Sequence, residues 1–122
     1  RPHAEFLALN CQADVLLDSI LWSGHNSTFD AMACGLPVVT LPGPMMRARH
    51  TYAILTMMGI DETIASDEDD YVAIAVRLGK DGRFRWRMAK QVASRRAAIF
   101  GDETPIRALE EFLVKARGSG HA

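Results

Sequence analysis

The sequence predicts an α/β fold that is rich in helices and built around a small parallel β-sheet. Two apolar runs, residues 14–18 and residues 37–41, have the length and aliphatic content of buried strands. Residues 26–34 between them are predicted to form a helix that ends at Gly35, because glycine commonly follows the last residue of a helix. A strand, a helix and a strand joined by short loops form a βαβ unit, so the two strands are expected to run parallel.

Further helices cover most of the remaining chain in this prediction. They are expected at residues 3–10, 46–58, 71–78, 81–99 and 104–116. Residues 64–65 are predicted as a third short strand. Ser66 and Asp69 resemble a capping box before the next helix, with Asp in place of the usual Glu or Gln. Residues 118–120 are predicted to form a frayed tail.

Composition limits the partners and the compartment of the protein. The 122 residues are 48% hydrophobic and 24% charged, which is ordinary for a soluble globular domain. A formal net charge of -1 gives no field that favours nucleic acid or an anionic membrane, and no apolar run approaches the ~20 residues of a spanning helix. We therefore expect a cytoplasmic protein with no nucleic-acid or membrane partner. Two cysteines allow a disulfide by number, but without a signal peptide Cys11 and Cys34 are expected to be reduced.

The chain is expected to be a piece of a longer protein. It starts at Arg1 without an initiator Met, and two convincing strands are too few for a stable doubly wound domain. We treat residues 1–122 as a single partial domain, with a βαβ core at residues 1–65 and C-terminal helices at residues 66–117. An open sheet edge could pair with a second copy of the chain, so a homo-oligomer is one expected arrangement.

The loop after the first predicted strand holds the main candidate functional residues. In open α/β sheets, ligands bind beyond the carboxyl ends of the strands. The candidates at this edge are Gly24, His25, Asn26, Ser27 and Thr28. The helix that starts here has free N–H groups and about half a positive charge at its N-terminus, so it binds phosphate readily. Glycine in such a loop permits an unusual backbone angle or the close approach of a ligand. The sequence therefore predicts a diphosphate cradle that contains no lysine.

Two further side chains are candidates for contacts around this cradle. Asp30 lies about one turn into the helix and could accept hydrogen bonds from ribose hydroxyls, as acidic residues in nucleotide folds do. Arg47 follows the second strand and could contact a phosphate or a sugar. Plainer alternatives stay open, because the polar residues can serve only as helix caps and Asp30 only to balance the helix dipole. The Gly-rich dinucleotide fingerprint and the P-loop motif are both absent from the sequence.

Three segments of the sequence together resemble one enzyme family. They are residues 13–18 (ADVLLD), 22–31 (WSGHNSTFDA) and 35–43 (GLPVVTLPG). In order and spacing they resemble the C-terminal catalytic lobe of the O-GlcNAc transferase and SPINDLY-like glycosyltransferases, family 41. The resemblance implies a GT-B fold of two Rossmann-like lobes, with this chain forming part of the second, donor-binding lobe. It also implies a UDP-sugar donor, inversion at the anomeric carbon, and no requirement for a metal or another cofactor.

The resemblance also assigns roles by position. Residues 25–27 match the family's Gly-His-Thr-Thr stretch, which contacts the diphosphate, and Asp30 matches its ribose-binding acid. Asn and Ser replace the usual Thr-Thr here, and both can still donate hydrogen bonds. Phe6 falls near the place of a family side chain beside the uracil. The family's diphosphate lysine and its candidate bases would lie upstream of Arg1, so no catalytic residue is expected within this chain.

The leading hypothesis is the donor-binding part of an inverting, UDP-sugar-dependent glycosyltransferase that transfers GlcNAc or a related hexose to protein side chains. The expected partners are the UDP-sugar, a protein acceptor, the missing N-terminal lobe, and the tetratricopeptide repeats that often precede the catalytic part in this family. Three alternatives stay open: a GT-B-type nucleotide-sugar epimerase, a transferase acting on glycans, and a non-catalytic interaction module. The isolated chain is expected to be inactive.

Overall fold

The structure is a computed structural model that describes residues 2–119. Its regular elements follow the predicted order of strand, helix and strand in the first half of the chain. They are α1 (His3–Asn10), β1 (Leu16–Leu17), α2 (Asn26–Ala33), β2 (Val38–Val39), α3 (His50–Met57), α4 (Glu68–Lys80), α5 (Gly82–Arg95) and α6 (Thr104–Ser119). Two short 3-10 turns, Met46–Ala48 and Arg96–Ala98, precede α3 and follow α5.

β1 and β2 form a parallel pair, which confirms the predicted orientation of the strands. The register places Leu16 opposite Val38. The regular ladder is shorter than the predicted apolar runs because Thr40, the next residue of the second run, pairs with a third segment instead. Thr40 forms a parallel bridge with Ile64, and its carbonyl oxygen accepts a hydrogen bond from the Ala65 N–H at 2.8 Å. The third strand predicted at residues 64–65 is therefore present as a single bridge.

Helices cover both faces of the sheet at β2, where Val38 and Val39 are buried. β1, predicted as a buried strand, is less covered: Leu16 is partly buried and Leu17 is 55% exposed. Side chains alternate along a strand, so Val38 packs into one hydrophobic cluster and Val39 into another. The cluster around Val38 contains Ala31, Met32, Leu36, Ile54, Leu55, Met58, Ile60 and Val92. The cluster around Val39 contains Leu78, Phe84 and Met88. Burial on both faces is typical of parallel sheets, and it explains why the sequence of β2 is a continuous apolar run rather than an alternating one.

The predicted continuous helix at residues 46–58 is wrong. The chain instead forms a 3-10 turn, then Arg49 with φ -130° and ψ 6°, and then α3. Hydrogen bonds hold this turn against the preceding loop. The Gly43 N–H donates to the Ala48 carbonyl oxygen at 3.2 Å, and the Arg49 guanidinium donates to the Gly43 carbonyl oxygen at 3.1 Å. The turn sets the direction in which α3 begins at His50.

The caps of two C-terminal helices differ from the prediction. Asp67 caps α4 and accepts a hydrogen bond from the Asp70 N–H at 2.8 Å. The Asp70 carboxylate in turn accepts from the Ser66 N–H at 2.9 Å. The capping box predicted at Ser66 and Asp69 is therefore wrong by one position, because the side chain that reaches back belongs to the next residue. Asp81 lies outside α5 as its N-cap, rather than being its first residue.

The last two helices also end elsewhere than predicted. α5 ends at Arg95 and passes into the second 3-10 turn, so the predicted helix at residues 81–99 is continuous only in its first part. α6 extends to Ser119, so residues 118–119 of the predicted tail are helical, and Gly120 lies outside the described residues. No helix within residues 2–119 combines the length and the apolar character needed to cross a membrane.

Candidate functional site

A cavity of about 510 Å³, which we call the loop cavity, lies beside the carboxyl end of β1. Four of the predicted ligand contacts line it: Gly24, His25, Asn26 and Ser27. The lining also includes residues that are not among the predicted contacts, namely Asp18, Trp22, Ser23 and His50. The loop singled out in the sequence therefore borders an open cavity at the expected edge of the sheet.

The buried carboxylate of Asp18 is the hydrogen-bond acceptor that connects the parts of this site. Asp18 directly follows β1 and is only 5% exposed. Its Oδ2 accepts hydrogen bonds from the hydroxyls of Ser23 and Thr40, both at 2.7 Å, and its Oδ1 accepts from the Gly24 N–H at 2.7 Å. One buried carboxylate thus joins the end of β1, the residue after β2 and the start of the loop.

Tyr71 of α4 binds the backbone of the same residue, Asp18. The Tyr71 hydroxyl donates to the Asp18 carbonyl oxygen at 2.8 Å. Burial, followed by the nearby Asp18 charge, raises the pKa of Tyr71 above its ordinary value. The phenol therefore keeps its proton at neutral pH and remains a hydrogen-bond donor to the end of β1.

Three hydroxyl side chains connect this carboxylate to α2 and α3. The Thr51 N–H donates to Ser23 Oγ at 2.9 Å, and the hydroxyls of Thr28 and Thr51 are 2.8 Å apart. Ser23, Thr28 and Thr51 are all buried. The predicted contact Thr28 therefore has its hydroxyl engaged inside the protein, where it fixes the first turn of α2 rather than facing the loop cavity.

Glycine is required at position 24 because neighbouring side chains pack closely against it, and not because of its backbone angle. Its φ is not among the positive values found in the chain. A Cβ built at this position would lie 2.7 Å from Ser27 Oγ and 2.8 Å from Thr28 Oγ1. The loop can therefore cross the start of α2 at this distance only with glycine, which is the close-approach role expected of such a residue.

Replacing Gly24 by alanine is expected to lower the free energy of unfolding by about 1–3 kcal/mol, the usual cost of overpacking. Gly79→Ala is the matched control, because a Cβ there meets nothing within 4 Å and alanine favours the interior of a helix such as α4. Urea denaturation of both variants measures the difference. A Gly24→Ala protein as stable as the Gly79→Ala control would contradict the packing described here.

The N-terminus of α2 opens towards the loop cavity. His25 occupies the N-cap position, and its side chain makes no capping hydrogen bond. The first N–H groups of any α-helix lack partners within the helix. Here they belong to Asn26 and Ser27, whose side chains line the cavity, and to the buried Thr28. An uncapped helix end with adjacent polar side chains is suited to an anionic ligand.

Two histidines stand together at this helix end. The ring centroids of His25 and His50 are 5.1 Å apart, and the His25 ring also contacts Phe29 edge-on at 5.4 Å. Both histidines line the loop cavity. Sequence reasoning missed His50, because the turn that brings it to the loop cavity gives no signal in the sequence.

Asp30 and Phe6 lie apart from the residues that line the loop cavity. The Asp30 side chain is 24% exposed, and its Oδ1 is 3.6 Å from Nε2 of His3 on α1. Phe6 is partly exposed on the same helix as His3. The predicted ribose and uracil contacts are therefore associated with the α1 side of α2, whereas the predicted diphosphate contacts face the cavity.

Trp22 lines the loop cavity, and Arg47 lies beside this tryptophan without being among the residues that line the cavity. The Arg47 guanidinium carbon lies 5.6 Å from the centre of the Trp22 ring, and the Arg47 carbonyl oxygen accepts a hydrogen bond from the Ser23 N–H at 2.8 Å. Leu21 precedes this tryptophan with φ 71°, a left-handed conformation that costs a non-glycine residue about 1–2 kcal/mol. Strain of this kind is concentrated at ligand sites, so it agrees with a functional role for the loop.

Comparison with known proteins identifies the family. The sequence profile of glycosyl transferase family 41 matches residues 2–103. The chain belongs to glycosyl transferase family 41. A UDP-N-acetylglucosamine–peptide N-acetylglucosaminyltransferase from Caenorhabditis elegans is 36% identical over 88 residues, which are 72% of this chain and 7% of that protein. A probable enzyme of the same description, SPINDLY from Arabidopsis thaliana, is 31% identical over 68 residues, or 56% of this chain and 7% of that protein.

A solved structure within family 41 has the same fold. A mutant of the O-GlcNAc transferase from Thermobaculum terrenum superposes with a TM-score of 0.82 and 29% sequence identity. The match covers 95% of this chain and 22% of that chain. This likeness confirms the predicted fold class, a helix-rich α/β part of a Rossmann-like lobe from a glycosyltransferase. The chain spans only a small part of its family 41 relatives, and its individual ligand contacts stay predictions.

Proposed function

We propose that this chain is the donor-binding part of an inverting glycosyltransferase that uses a UDP-sugar and transfers GlcNAc or a related hexose to protein side chains. One observation carries the proposal: the uncapped N-terminus of α2 opens onto the loop cavity in a chain that belongs to family 41. The names of the relatives support the choice of sugar donor and acceptor, since they describe transfer from UDP-N-acetylglucosamine to peptide.

The diphosphate is held at the start of α2 in this proposal. The N–H groups of the first turn and the side chains of Asn26 and Ser27 donate hydrogen bonds to phosphate oxygens, and the helix dipole favours their negative charge. Arg47, whose guanidinium lies over the ring of Trp22, adds a positive charge beside the loop. The ribose hydroxyls bind to Asp30, and the base lies towards Phe6 on α1. No metal is required in this arrangement.

Sugar transfer separates UDP from the anomeric carbon and leaves negative charge on the diphosphate. N–H and O–H groups that already point at this charge stabilise the transition state, because they do not have to reorganise during the reaction. The network of Asp18, Ser23 and Thr51 provides that rigidity, because it fixes both ends of the loop before the donor arrives. In this proposal, His25 donates a hydrogen bond to the diphosphate. The base that activates the acceptor hydroxyl is not assigned to any residue of this chain.

The activity is tested by incubating the protein that carries this chain with UDP-GlcNAc, alone and with a Ser/Thr-rich peptide. We expect UDP release and a GlcNAc mass increase on the peptide. Conversion of the donor sugar in water alone would favour the epimerase alternative, and transfer only to a glycan would favour the glycan transferase. Donor binding without turnover would favour the interaction module. The last outcome would remove the catalytic part of the proposal and keep the donor site.

A further inference from the structure

The C-terminal ends of α1 and α2 bring the two cysteines of the chain together. Cys11 is the C-cap of α1, and Cys34 is the C-cap of α2. Their Sγ atoms are 3.2 Å apart, although 23 positions separate them in the sequence. Both are free thiols, and Cys11 is exposed while Cys34 is partly buried. A contact this short between sulfurs of separate helices makes them a candidate pair for a covalent bond.

We propose that Cys11 and Cys34 form a reversible intramolecular disulfide when the protein meets a hydroperoxide. The bond would join the ends of α1 and α2 that lie away from the loop cavity. This assignment is independent of the donor proposed above, because it needs only the position of the two thiols and access for a small oxidant.

The surroundings of the pair give that access. A cavity of about 360 Å³ is lined by both cysteines, together with Asp14, Arg85 and Trp86. A hydroperoxide is much smaller than this space. This cavity shares no lining residue with the loop cavity.

The two thiols have different roles in the reaction. The Cys34 Sγ–H donates to the Leu7 carbonyl oxygen at 3.7 Å, and burial, followed by the neighbouring Cys11, raises the pKa of Cys34 to about 11. Cys34 therefore stays protonated at neutral pH, and a protonated thiol is a poor nucleophile. Oxidation starts at the exposed Cys11, and Cys34 acts in the second step.

The reaction balances in two steps. The Cys11 thiolate attacks one oxygen of the hydroperoxide, the O–O bond breaks, and Cys11 becomes a sulfenic acid. The departing oxygen takes up the proton that the Cys11 thiol had released and leaves as water or an alcohol. The Cys34 sulfur then attacks the sulfenyl sulfur of Cys11. The S–S bond forms, the S–O bond breaks, and the departing hydroxide takes the Cys34 proton to leave as water. The two thiols lose two electrons in total, and these electrons reduce the peroxide.

The cross-link is expected to stabilise the protein. Closing a loop between α1 and α2 reduces the conformational freedom of the unfolded chain. α1 packs on the rest of the chain chiefly through α2, so the bond reinforces its attachment. The melting temperature of the oxidised protein is therefore expected to exceed that of the reduced protein by several degrees.

Peptide mapping of the protein that carries this chain tests the proposal. No Lys or Arg lies between Arg1 and Arg47, so trypsin leaves both cysteines in one peptide. After hydrogen peroxide, that peptide should resist alkylation and be lighter by two hydrogens than its reduced form. A second protease that cuts before Asp residues divides the peptide between the cysteines, and the two pieces should separate only after dithiothreitol.

Cys11→Ser and Cys34→Ser are the control variants. Each should lose the linked peptide and the peroxide-dependent rise in melting temperature. In Cys11→Ser, Cys34 should stay open to alkylation, whereas in Cys34→Ser, Cys11 should stop at the sulfenic acid. Alkylation of both thiols in the peroxide-treated wild type would overturn the proposal. A sulfinic acid at Cys11 without a link, or a link between two copies of the protein, would overturn it equally. Melting curves of the reduced variants test whether they remain folded, so that a missing disulfide can be distinguished from unfolding.

Discussion

Asp18→Ala is expected to lower the free energy of unfolding by about 3–5 kcal/mol and to abolish UDP binding. The substitution leaves the Gly24 N–H and the hydroxyls of Ser23 and Thr40 without their shared acceptor. Each buried donor that loses its partner costs about 1–3 kcal/mol. The hydroxyls can turn towards other acceptors, so the total stays below the sum of three full penalties.

UDP binding is lost in this variant because the same carboxylate positions the loop. The Gly24 N–H bond to Asp18 fixes the chain two residues before the first turn of α2. Without this bond, the N–H groups of the first turn of α2 are no longer held in position for the phosphate. Hydrogen-bond donors that must reorganise on binding give a lower affinity. The loss of affinity should therefore exceed what the remaining folded fraction accounts for.

Two control variants separate this role from the general effect of losing a carboxylate. Asp14→Ala removes an exposed acid whose partner is Arg85 at 3.3 Å, and surface pairs of this kind contribute about 0–1 kcal/mol. Asp18→Asn should be milder than Asp18→Ala, because the amide oxygen can still accept from the Gly24 N–H. Urea denaturation and calorimetric titration with UDP measure both effects. An Asp18→Ala protein as stable as Asp14→Ala would refute the account of the network.

Asp30→Ala is expected to lower UDP affinity by about 10–100-fold with little change in stability. A hydrogen bond to a charged group contributes about 1.5–3 kcal/mol, and 1.4 kcal/mol corresponds to a factor of ten. The carboxylate faces His3 at 3.6 Å across a largely exposed contact, and such a contact stabilises the fold by no more than about 1 kcal/mol. The loss of UDP binding free energy should therefore greatly exceed the loss of folding stability.

Asp69→Ala is the matched control for this prediction. Asp69 is an exposed acid in the first turn of α4, away from α2. The same calorimetric titration should give wild-type UDP affinity for this variant. Equal affinity in the wild type and Asp30→Ala would remove Asp30 from the donor site. It would leave the alternative that Asp30 serves only the packing of α1 on α2.

The βαβ unit was predictable because each part depends on a few neighbouring residues. The apolar runs identify the two strands, although only β2 is fully buried. Gly35 ends α2 with φ 74°, a conformation that glycine adopts without strain. The loop between them contains the polar residues and the glycine that define the candidate site. Local chemistry therefore predicts where the helix begins and where a ligand could bind.

The rest of the site depends on contacts between distant residues. Thr28 looks like a free cap in the sequence, but its hydroxyl meets Thr51 in the next helix. His50 comes to the loop cavity only because the hydrogen bonds of Gly43 and Arg49 break the predicted helix before it. A pattern along the chain cannot indicate these pairings, because both members look ordinary until the fold joins them.

The separation of Asp30 from the loop cavity has the same origin. Helical spacing places Asp30 about one turn after Asn26, but the direction of its side chain depends on α1, whose His3 lies beside it. The sequence indicated the residue and its distance from the helix end. In the proposed assignment, a nucleotide that contacts both Ser27 and Asp30 extends from the loop cavity around α2 towards α1.

The affinity of the protein for UDP relative to uridine tests most directly whether the N-terminus of α2 binds a diphosphate. Calorimetric titration of the protein that carries this chain gives both values under one set of conditions. We predict that UDP binds at least about 100-fold more tightly, since two charge-assisted hydrogen bonds contribute about 3 kcal/mol or more. Equal affinity for UDP and uridine would contradict the account, because the uncapped helix end would then hold no phosphate.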